Sequence, residues 1–296
     1  MKLSTADIFK NTSNKNCIIL EGKILKQYQE VLRQIVDDIA YVCEKNHITY
    51  TLGGGSALGA LRHQGIIPWD DDMDLNMLRC DLEKFIPLFR RYFGNKYWIH
   101  TPEYTKNYGL LFVQIRKKGT IARGREDYNL KECGIGIDIF PVENTYDNKL
   151  MRTLHGFLCM SSKFALSCRK LWTYRKEMLK LVKSDKNAIN SLKLKIILGF
   201  FFSFFSIDIW THITNNFCKM CKYEGELVVI PSGRKQFTGE IYKRKIYTET
   251  ILVSFDGRRY RLLKNADKYM RQLYGDYMKI PPEEKREHHI LYELKF

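Results

Sequence analysis

Residues 51–75 read TLGGGSALGALRHQGIIPWDDDMDL, with three consecutive glycines and a serine ahead of four aspartates within five positions. Clustered carboxylates repel one another unless a cation joins them. Glycines lack Cβ atoms, so the backbone N–H groups of Gly53, Gly54 and Gly55 can approach phosphate oxygens closely. A helix that begins here, with Ser56 as its cap, would add its dipole and free N–H groups. The stretch therefore predicts a phosphate site beside an acidic cluster.

Two aspartates of this stretch predict a metal site. In a strand, residues i and i+2 face the same side, so Asp72 and Asp74 would point together while Met73 and Leu75 enter the core. The later segment GIGIDIFPV places Asp138 between two isoleucines, so it could add a third carboxylate from a neighbouring strand. Carboxylate oxygens are suitable ligands for Mg²⁺ (or Mn²⁺), and an ion held by them keeps coordination positions open for phosphate.

The acidic run and the glycine triplet each have an ordinary interpretation, as a solvated loop and as a turn. Together with a strand pattern and a second isolated acid, they favour metal-dependent phosphoryl transfer, which needs a phosphate cradle, a metal and a positioned nucleophile. Asp138 could also accept the proton of an attacking hydroxyl.

The spacing of apolar residues predicts an α+β fold. Residues 23–46 and 79–93 have helical spacing, and five segments have strand patterns, at residues 47–54, 72–78, 96–101, 109–120 and 134–142. We expect a mixed sheet with flanking helices over residues 20–145. A basic and apolar helical region at 146–225 and a small α/β segment at 226–296, which completes the site, would follow.

The positive charge lies in the second half of the chain. Residues 1–148 hold 20 Lys and Arg against 19 Asp and Glu, whereas residues 149–296 hold 29 against 14. Such a field suits a polyanion, an anionic membrane surface or a phosphorylated substrate, although it could also be a solvated face.

The most hydrophobic segment, residues 196–210, has fifteen residues and contains Asp208, so it is too short to span a membrane. A buried core helix and an interfacial helix with Lys193 and Lys195 at its entrance both remain open.

Three motifs in order resemble the signature of the LicD family, which also includes the fukutin-type sugar phosphotransferases. They are GGGSALGALRHQGIIPWDDDMDL at 53–75, IDIFPVEN at 137–144 and LYGDYMKIPPEEKREHH at 273–289. The resemblance implies a nucleotidyltransferase-like fold, in which a glycine-serine turn precedes an acidic pair and a third acid lies on a later strand. Gly55 and Ser56 match the turn, Asp72 and Asp74 the metal pair, and Asp138 the third acid.

The remaining motif residues carry looser expectations. The inserted RHQGIIPWDD is typical of the LicD group, and its Arg62 and His63 are candidate phosphate or nucleotide contacts, together with Gly54. Asp70 and Asp71 are candidate substrate contacts, or they orient the loop by accepting hydrogen bonds beside Trp69.

The third motif has two interpretations. Tyr274 and Asp276 could bind substrate, or YGDYM could close a helix with Gly275 as its C-cap. His288 and His289 could reach the site or lie in solvent.

The resemblance implies transfer of a phospho-alcohol, phosphocholine first, from CDP-choline or a related CDP-alcohol to a sugar hydroxyl. The acceptor would be a surface glycan or its lipid-linked precursor, such as lipopolysaccharide, teichoic acid or capsule. Nucleotidyl transfer to RNA or a small molecule is the alternative, and a non-catalytic binding protein is another. Against nucleic acid, aromatic and basic residues are not interleaved in a recognisable RNA-binding module.

The N-terminus predicts where the protein is located. Residues 1–17 lack the apolar core of a signal peptide, so we expect a cytoplasmic protein with peripheral contact to the inner membrane face. The lone CKMC at 218–221 suits buried reduced thiols better than zinc.

Overall fold

The computed structural model describes residues 17–124, 127, 130–181, 186–286 and 288–296. The predicted α+β class is confirmed, because a mixed sheet is flanked by helices. The N-terminal residues from which the cytoplasmic location was predicted lie mostly outside this description.

Helix α1, Gly22–Lys45, forms one wall of the core because its apolar residues recur every three or four positions. Its side chains at Leu32, Ile35, Val36 and Ile39 are fully buried. The same spacing explains α3, Arg79–Phe93, which continues through the internal Pro87.

The central sheet has the order β1-β2-β6-β4-β3. These strands are Thr51–Leu52, Asp74–Leu78, Gly136–Asn144, Val113–Lys117 and Tyr97–His100. Strands β2 and β6 are parallel neighbours, and their register sets Asp74 beside Asp138. Paired residues of adjacent strands project to the same face, so this register brings the two carboxylates together. Met73 and Leu75 are buried, as predicted.

Two boundaries differ from the sequence-based predictions. Strand β2 begins at Asp74, so Asp72 lies in the loop before it. Helix α2, Gly54–His63, begins before Ser56 and has Gly53 as its N-cap. The prediction that Ser56 caps the helix is wrong: its hydroxyl instead accepts the backbone N–H of Asp74 at 2.8 Å and ties the helix to the strand.

The helical region comprises four helices over the described residues of 149–218. They are α4 Lys149–Thr173, α5 Arg175–Leu181, α6 Lys186–Phe201 and α7 Ile207–Cys218. The hydrophobic segment 196–210 is divided, because a 3₁₀ turn at Phe202–Phe204 follows α6 and Ser206 caps α7. Among the described helices, none combines the length and hydropathy that crossing a membrane requires.

The C-terminal segment returns to the central core. Strands β7 (Leu227–Val229) and β8 (Ile241–Lys243) extend the sheet from the end of β6. Two short helices flank β8 in the chain, α8 Gln236–Gly239 before it and α9 Arg244–Thr248 after it. A hairpin of β9 Thr250–Phe255 and β10 Arg258–Leu263 follows, and then α10 Ala266–Tyr274 and β11 Leu291–Lys295. Strand β11 pairs with β5, Ile121–Gly124. Helix α10 ends at Tyr274, and Gly275, with a φ of +71°, is its C-cap as predicted.

A buried ion pair joins α3 to β6. The Nε of Arg79 lies 3.1 Å from both carboxylate oxygens of Glu143, whose side chain is 1% exposed. Desolvation would lower the pKa of Arg79, but Glu143 raises it above its ordinary value. Asn215 of α7 accepts from the same guanidinium at 3.5 Å, so the pair also anchors the helical region.

Replacing Glu143 tests this anchor. Glu143→Gln removes the nearest counter-charge of a buried guanidinium and leaves the more distant Glu103 at 3.9 Å. We therefore expect the free energy of unfolding to fall by about 3 kcal/mol, measured by urea denaturation. Lys245→Gln is the control, because its ion pair with Glu249 is solvent-exposed and should change stability by less than about 1 kcal/mol. Equal effects of the two substitutions would contradict the anchoring role.

Candidate active site

Four aspartates meet at the start of helix α2. A Cβ added to Gly54 would lie 2.8 Å from Oδ2 of Asp74, and one added to Gly55 would lie 3.0 Å from Oδ2 of Asp70 and 3.9 Å from Oδ1 of Asp72. Asp138 lies beside Asp74 in the sheet. Because the turn residues lack side chains, carboxylates can lie close to its backbone. From the sequence we expected phosphate oxygens in this space.

Two N–H groups of the turn bind acceptors of the protein. Gly53 donates to the carbonyl of Asp74 at 2.9 Å, and Gly54 donates to the hydroxyl of Tyr269 at 3.0 Å. The Gly54 N–H is thus engaged by Tyr269 in this structure, and its contact with phosphate stays a prediction. In the first turn of a helix N–H groups have no intrahelical acceptor, which leaves those of Gly55 and Ser56 as candidates for an anion.

The carboxylates raise one another's pKa values. Desolvation and the charges of Asp72 and Asp71 raise the pKa of Asp70 to about 9, and a hydrogen bond joins it to Asp72. Desolvation and the charges of Asp72, Asp138 and Asp70 raise the pKa of Asp74 well above its ordinary value. The cluster thus holds more negative charge than its surroundings neutralise, and one proton or a cation would relieve it.

A chain of polar groups holds Asp138. Its Oδ1 accepts from Nε2 of Gln114 at 2.9 Å, and Oε1 of Gln114 accepts from Arg116 at 3.1 Å. Arg116 in turn pairs with Asp127 at 2.9 Å. Desolvation raises the pKa of Asp138 to about 6, against the opposing effects of Gln114 and Arg116. Of its two oxygens, Gln114 engages Oδ1, and Oδ2 is the one left for a ligand.

The C-terminal motif delivers His289 to the cluster. Asp71 is buried and accepts both the backbone N–H of His289 at 3.1 Å and its ring Nδ1–H at 2.8 Å, while Nε2 lies 3.8 Å from Oδ2 of Asp72. Desolvation opposes a charge on the ring, but the hydrogen bond to Asp71 and the nearby carboxylates outweigh it and raise the pKa of His289 well above its ordinary value. Asp71 thus accepts the hydrogen bonds that orient His289, and its contact with substrate stays a prediction.

The predicted phosphate contacts of the insertion bind protein groups here. The Nη1 of Arg62 donates to the carbonyl of Tyr277 at 2.9 Å, and its Nε donates to His63 at 2.9 Å. The guanidinium of Arg286 lies 4.1 Å from the centre of the Trp69 ring, and His63 meets the same ring edge-on. Contact of Arg62 or His63 with a nucleotide stays a prediction.

The third motif contributes unequally. Tyr274 is close enough for the charges of Asp74 and Asp72 to raise its pKa, after the larger effect of desolvation. Asp276 is exposed and acts electrostatically on Arg271, outside the cluster. His288 is exposed as well.

The donor set of the cluster fits a hard divalent cation. Within the described residues, no three His, Cys, Asp or Glu side chains already form a group that could hold a metal ion by themselves. Magnesium is commonly held by one or two carboxylates together with substrate phosphates. Asp72 and Asp74 supply such a pair, and Asp138 lies next to them.

Comparison with known proteins identifies the family. The chain is 30% identical over 274 residues, 90% of its length, to the lipopolysaccharide cholinephosphotransferase LicD of Haemophilus influenzae, of which the match covers 96%. The chain belongs to the LicD family.

The other comparisons agree with this assignment. A family model described as "LicD/FKTN/FKRP, nucleotidyltransferase domain" matches residues 47–164 of this LicD-family chain. A stretch of 51 residues, 17% of the chain, is 45% identical to the human ribitol 5-phosphate transferase FKRP, but covers only 10% of that protein. An uncharacterised Rickettsia prowazekii protein is 41% identical over 119 residues, which are 31% of this chain and 45% of that protein. The predicted family and the predicted enzyme class, a LicD-type phosphotransferase, are confirmed.

Several residues that support the aspartate cluster and the glycine turn were not predicted from the sequence. Tyr269 hydrogen-bonds Gly54 across 215 positions, and its hydroxyl also accepts from Nδ2 of Asn76 at 3.3 Å. Gln114 carries no signal in the sequence, because a polar residue in a strand is ordinary until its partner is known.

Substitution of Gly54 tests the close approach at the turn. Gly54→Ala places a Cβ against Asp74 at a φ of +43°, so we expect a stability loss of about 1 kcal/mol and at least tenfold lower transferase activity. Gly22→Ala is the matched control, because its φ is +55° and no atom lies within 4 Å of the added Cβ. The control should lose similar stability but keep full activity. Equal activity of the two variants would contradict the role of Gly54.

The contact between Asp71 and His289 is tested by a double-mutant cycle. Asp71→Asn and His289→Gln should each lower kcat/KM about 10- to 100-fold, and the double variant should lose little more, because each residue acts through the other. Glu284→Gln, at an exposed acid of the same sequence motif, should leave kcat/KM unchanged. Additive losses, or an equal loss for Glu284→Gln, would show that the contact does not act as a unit.

Proposed function

We propose that this protein transfers a phospho-alcohol, phosphocholine first, from a CDP-activated donor to a sugar hydroxyl of a surface glycan or its lipid-linked precursor, with Mg²⁺ or Mn²⁺ as cofactor. The nearly full-length similarity to a lipopolysaccharide cholinephosphotransferase supports this substrate class. The observation that carries the proposal is the register of β2 and β6, which sets Asp74 beside Asp138 at the N-terminus of α2.

The chain's own groups would hold the donor at the cluster. The N–H groups of Gly55 and Ser56 would bind diphosphate oxygens at the positive end of α2. His289, fixed by Asp71, would place positive charge near the same phosphates. A bound Mg²⁺, held by Asp72 and Asp74 with Asp138 beside them, would neutralise charge on the diphosphate and stabilise the leaving nucleotide.

Asp138 is the proposed general base. In the transfer, the acceptor hydroxyl oxygen forms a bond to the phosphorus that carries the alcohol, the bond from that phosphorus to CMP breaks, and CMP leaves with the electron pair. Oδ2 of Asp138 would take the hydroxyl proton, while Gln114 holds Oδ1 in place. Gln114 and Arg116 are therefore positioning residues in this proposal.

The proposed cellular setting follows from the substrates. A nucleotide-activated donor and a glycan precursor would meet at the cytoplasmic face of the membrane. Lipopolysaccharide, teichoic acid and capsule precursors are all acceptors of this class, and contact with an anionic membrane is part of the proposal.

Incubation with a donor panel tests the function. With Mg²⁺ present, we expect CMP release and labelled glycan from CDP-choline or CDP-ribitol, and neither product from CTP or ATP. Asp74→Asn should lower turnover by at least about 100-fold, because it removes a ligand and a charge from the cluster. Its measured fold, by circular dichroism, should remain that of the natural protein.

Two outcomes would contradict the proposal. Nucleotide incorporation from CTP or ATP without transfer from either CDP-alcohol would indicate a nucleotidyltransferase. Near-normal transfer by Asp74→Asn would show that the assigned metal pair is wrong. Glu284→Gln serves as the acidic control, since that side chain is exposed in the turn Glu283–Lys285.

A further inference from the structure

The junction between α6 and α7 exposes an aromatic cluster. Phe201 is 64% exposed and Phe204 is 70% exposed, although both lie in the most hydrophobic stretch of the chain. Further apolar side chains around them are also exposed, namely Leu194, Ile197, Phe200, Phe205 and Ile209. A core helix would bury these residues, so the core interpretation of residues 196–210 holds only for members such as Ile196 and Ile207.

Helix α4 continues this apolar character on one face. At 100° per residue, positions 150, 154 and 157 share a face with positions 164, 168 and 172. Helix α6 covers the later part of that face, where Gly199 lies against Cys168 and Trp172. The earlier part remains open to solvent: Leu150 is 77% exposed and Phe157 is 66% exposed.

The charge around these apolar residues has one sign. Residues 149–218 hold twelve Lys and Arg against three Asp and Glu. Lys149, Lys176 and Lys193 are exposed, and Arg169 at the edge of the cluster donates to the carbonyl of Phe205 at 2.9 Å. Lys195, predicted at the entrance of an interfacial helix, is instead buried and donates to Ser167 at 2.9 Å.

We propose that the exposed apolar side chains of α4 and of the α6–α7 junction, with the surrounding lysines, form a surface that binds an anionic lipid bilayer. Phe201 and Phe204 would enter the acyl boundary, and Lys176 and Lys193 would meet the headgroups. This surface gives the membrane contact of the proposed function a location, but binding itself does not depend on the donor or the acceptor.

The charge distinguishes a bilayer from other partners. A second copy of the chain would bring two strongly basic surfaces together, which costs free energy. A nucleic acid would engage the lysines but would leave the phenylalanine and leucine side chains in water. An anionic bilayer satisfies both features at once, because its headgroups are negative and its interior is apolar.

Co-sedimentation of the full-length protein with vesicles tests the surface. We expect binding to phosphatidylcholine vesicles that contain phosphatidylglycerol, much weaker binding to phosphatidylcholine alone, and loss of binding with rising salt. Phe201→Ser with Phe204→Ser should weaken partitioning at least about tenfold, because two apolar side chains no longer enter the bilayer. Ile251→Ser with Leu252→Ser is the matched control, since these exposed residues lie on hairpin β9–β10.

A second pair of variants separates charge from packing. Lys176→Glu with Lys193→Glu alters two exposed side chains without touching the core, and should weaken binding about tenfold. It keeps the proposal testable if the serine variant does not fold. Donor turnover with a soluble acceptor is measured separately, so failure of the membrane proposal and failure of the proposed function are distinguishable.

Three results would overturn the proposal. The first is that the natural protein does not bind anionic vesicles. The second is that the serine and charge variants bind as well as the natural protein. The third is that light scattering shows the natural protein to be a dimer and the serine variant a monomer, with no difference in vesicle binding.

Discussion

Mutual repulsion among four carboxylates is the constraint on which the candidate active site depends. Asp70, Asp72, Asp74 and Asp138 share one small region, and the raised pKa values of Asp70, Asp74 and Asp138 record the cost of placing them there. The backbone enforces the arrangement, because the parallel register of β2 and β6 fixes two of the four side chains and the glycine turn leaves space for the others. Such a cluster is unfavourable in the free protein, which is the expected property of a site built to receive positive charge.

The C-terminal segment makes this cluster into a complete site. Tyr269 reaches the N-terminus of α2, and His289 is held against Asp71 from 218 positions away. The same segment pairs strand β11 with β5 and extends the sheet through β7 and β8. The nucleotidyltransferase-like core and the last part of the chain are thus joined by hydrogen bonds at the place where chemistry is proposed.

Local periodicity predicted the parts of the structure that depend on near neighbours. The alternation of apolar and acidic residues predicted that Met73 and Leu75 lie in the core and Asp74 on the open face, and helical spacing predicted α1 and α3. The three motifs, in their order along the chain, indicated the family. Predictions failed where distant groups decide: the Ser56 hydroxyl bonds β2 instead of capping α2, and Lys195 is buried against Ser167. No local pattern could have shown that Tyr269 occupies the Gly54 N–H, or that aromatic residues near 201–204 remain in solvent.

The most direct measurement compares the unfolding free energy of the natural protein with that of Asp74→Asn, with and without Mg²⁺ or Mn²⁺. If the carboxylates await a cation, the ion stabilises the natural protein in a concentration-dependent way, and it has little effect on the variant. In a chelating buffer, the variant should be the more stable of the two, because repulsion has been relieved. A natural protein indifferent to either ion, together with a variant that is less stable in the chelator, would contradict the account.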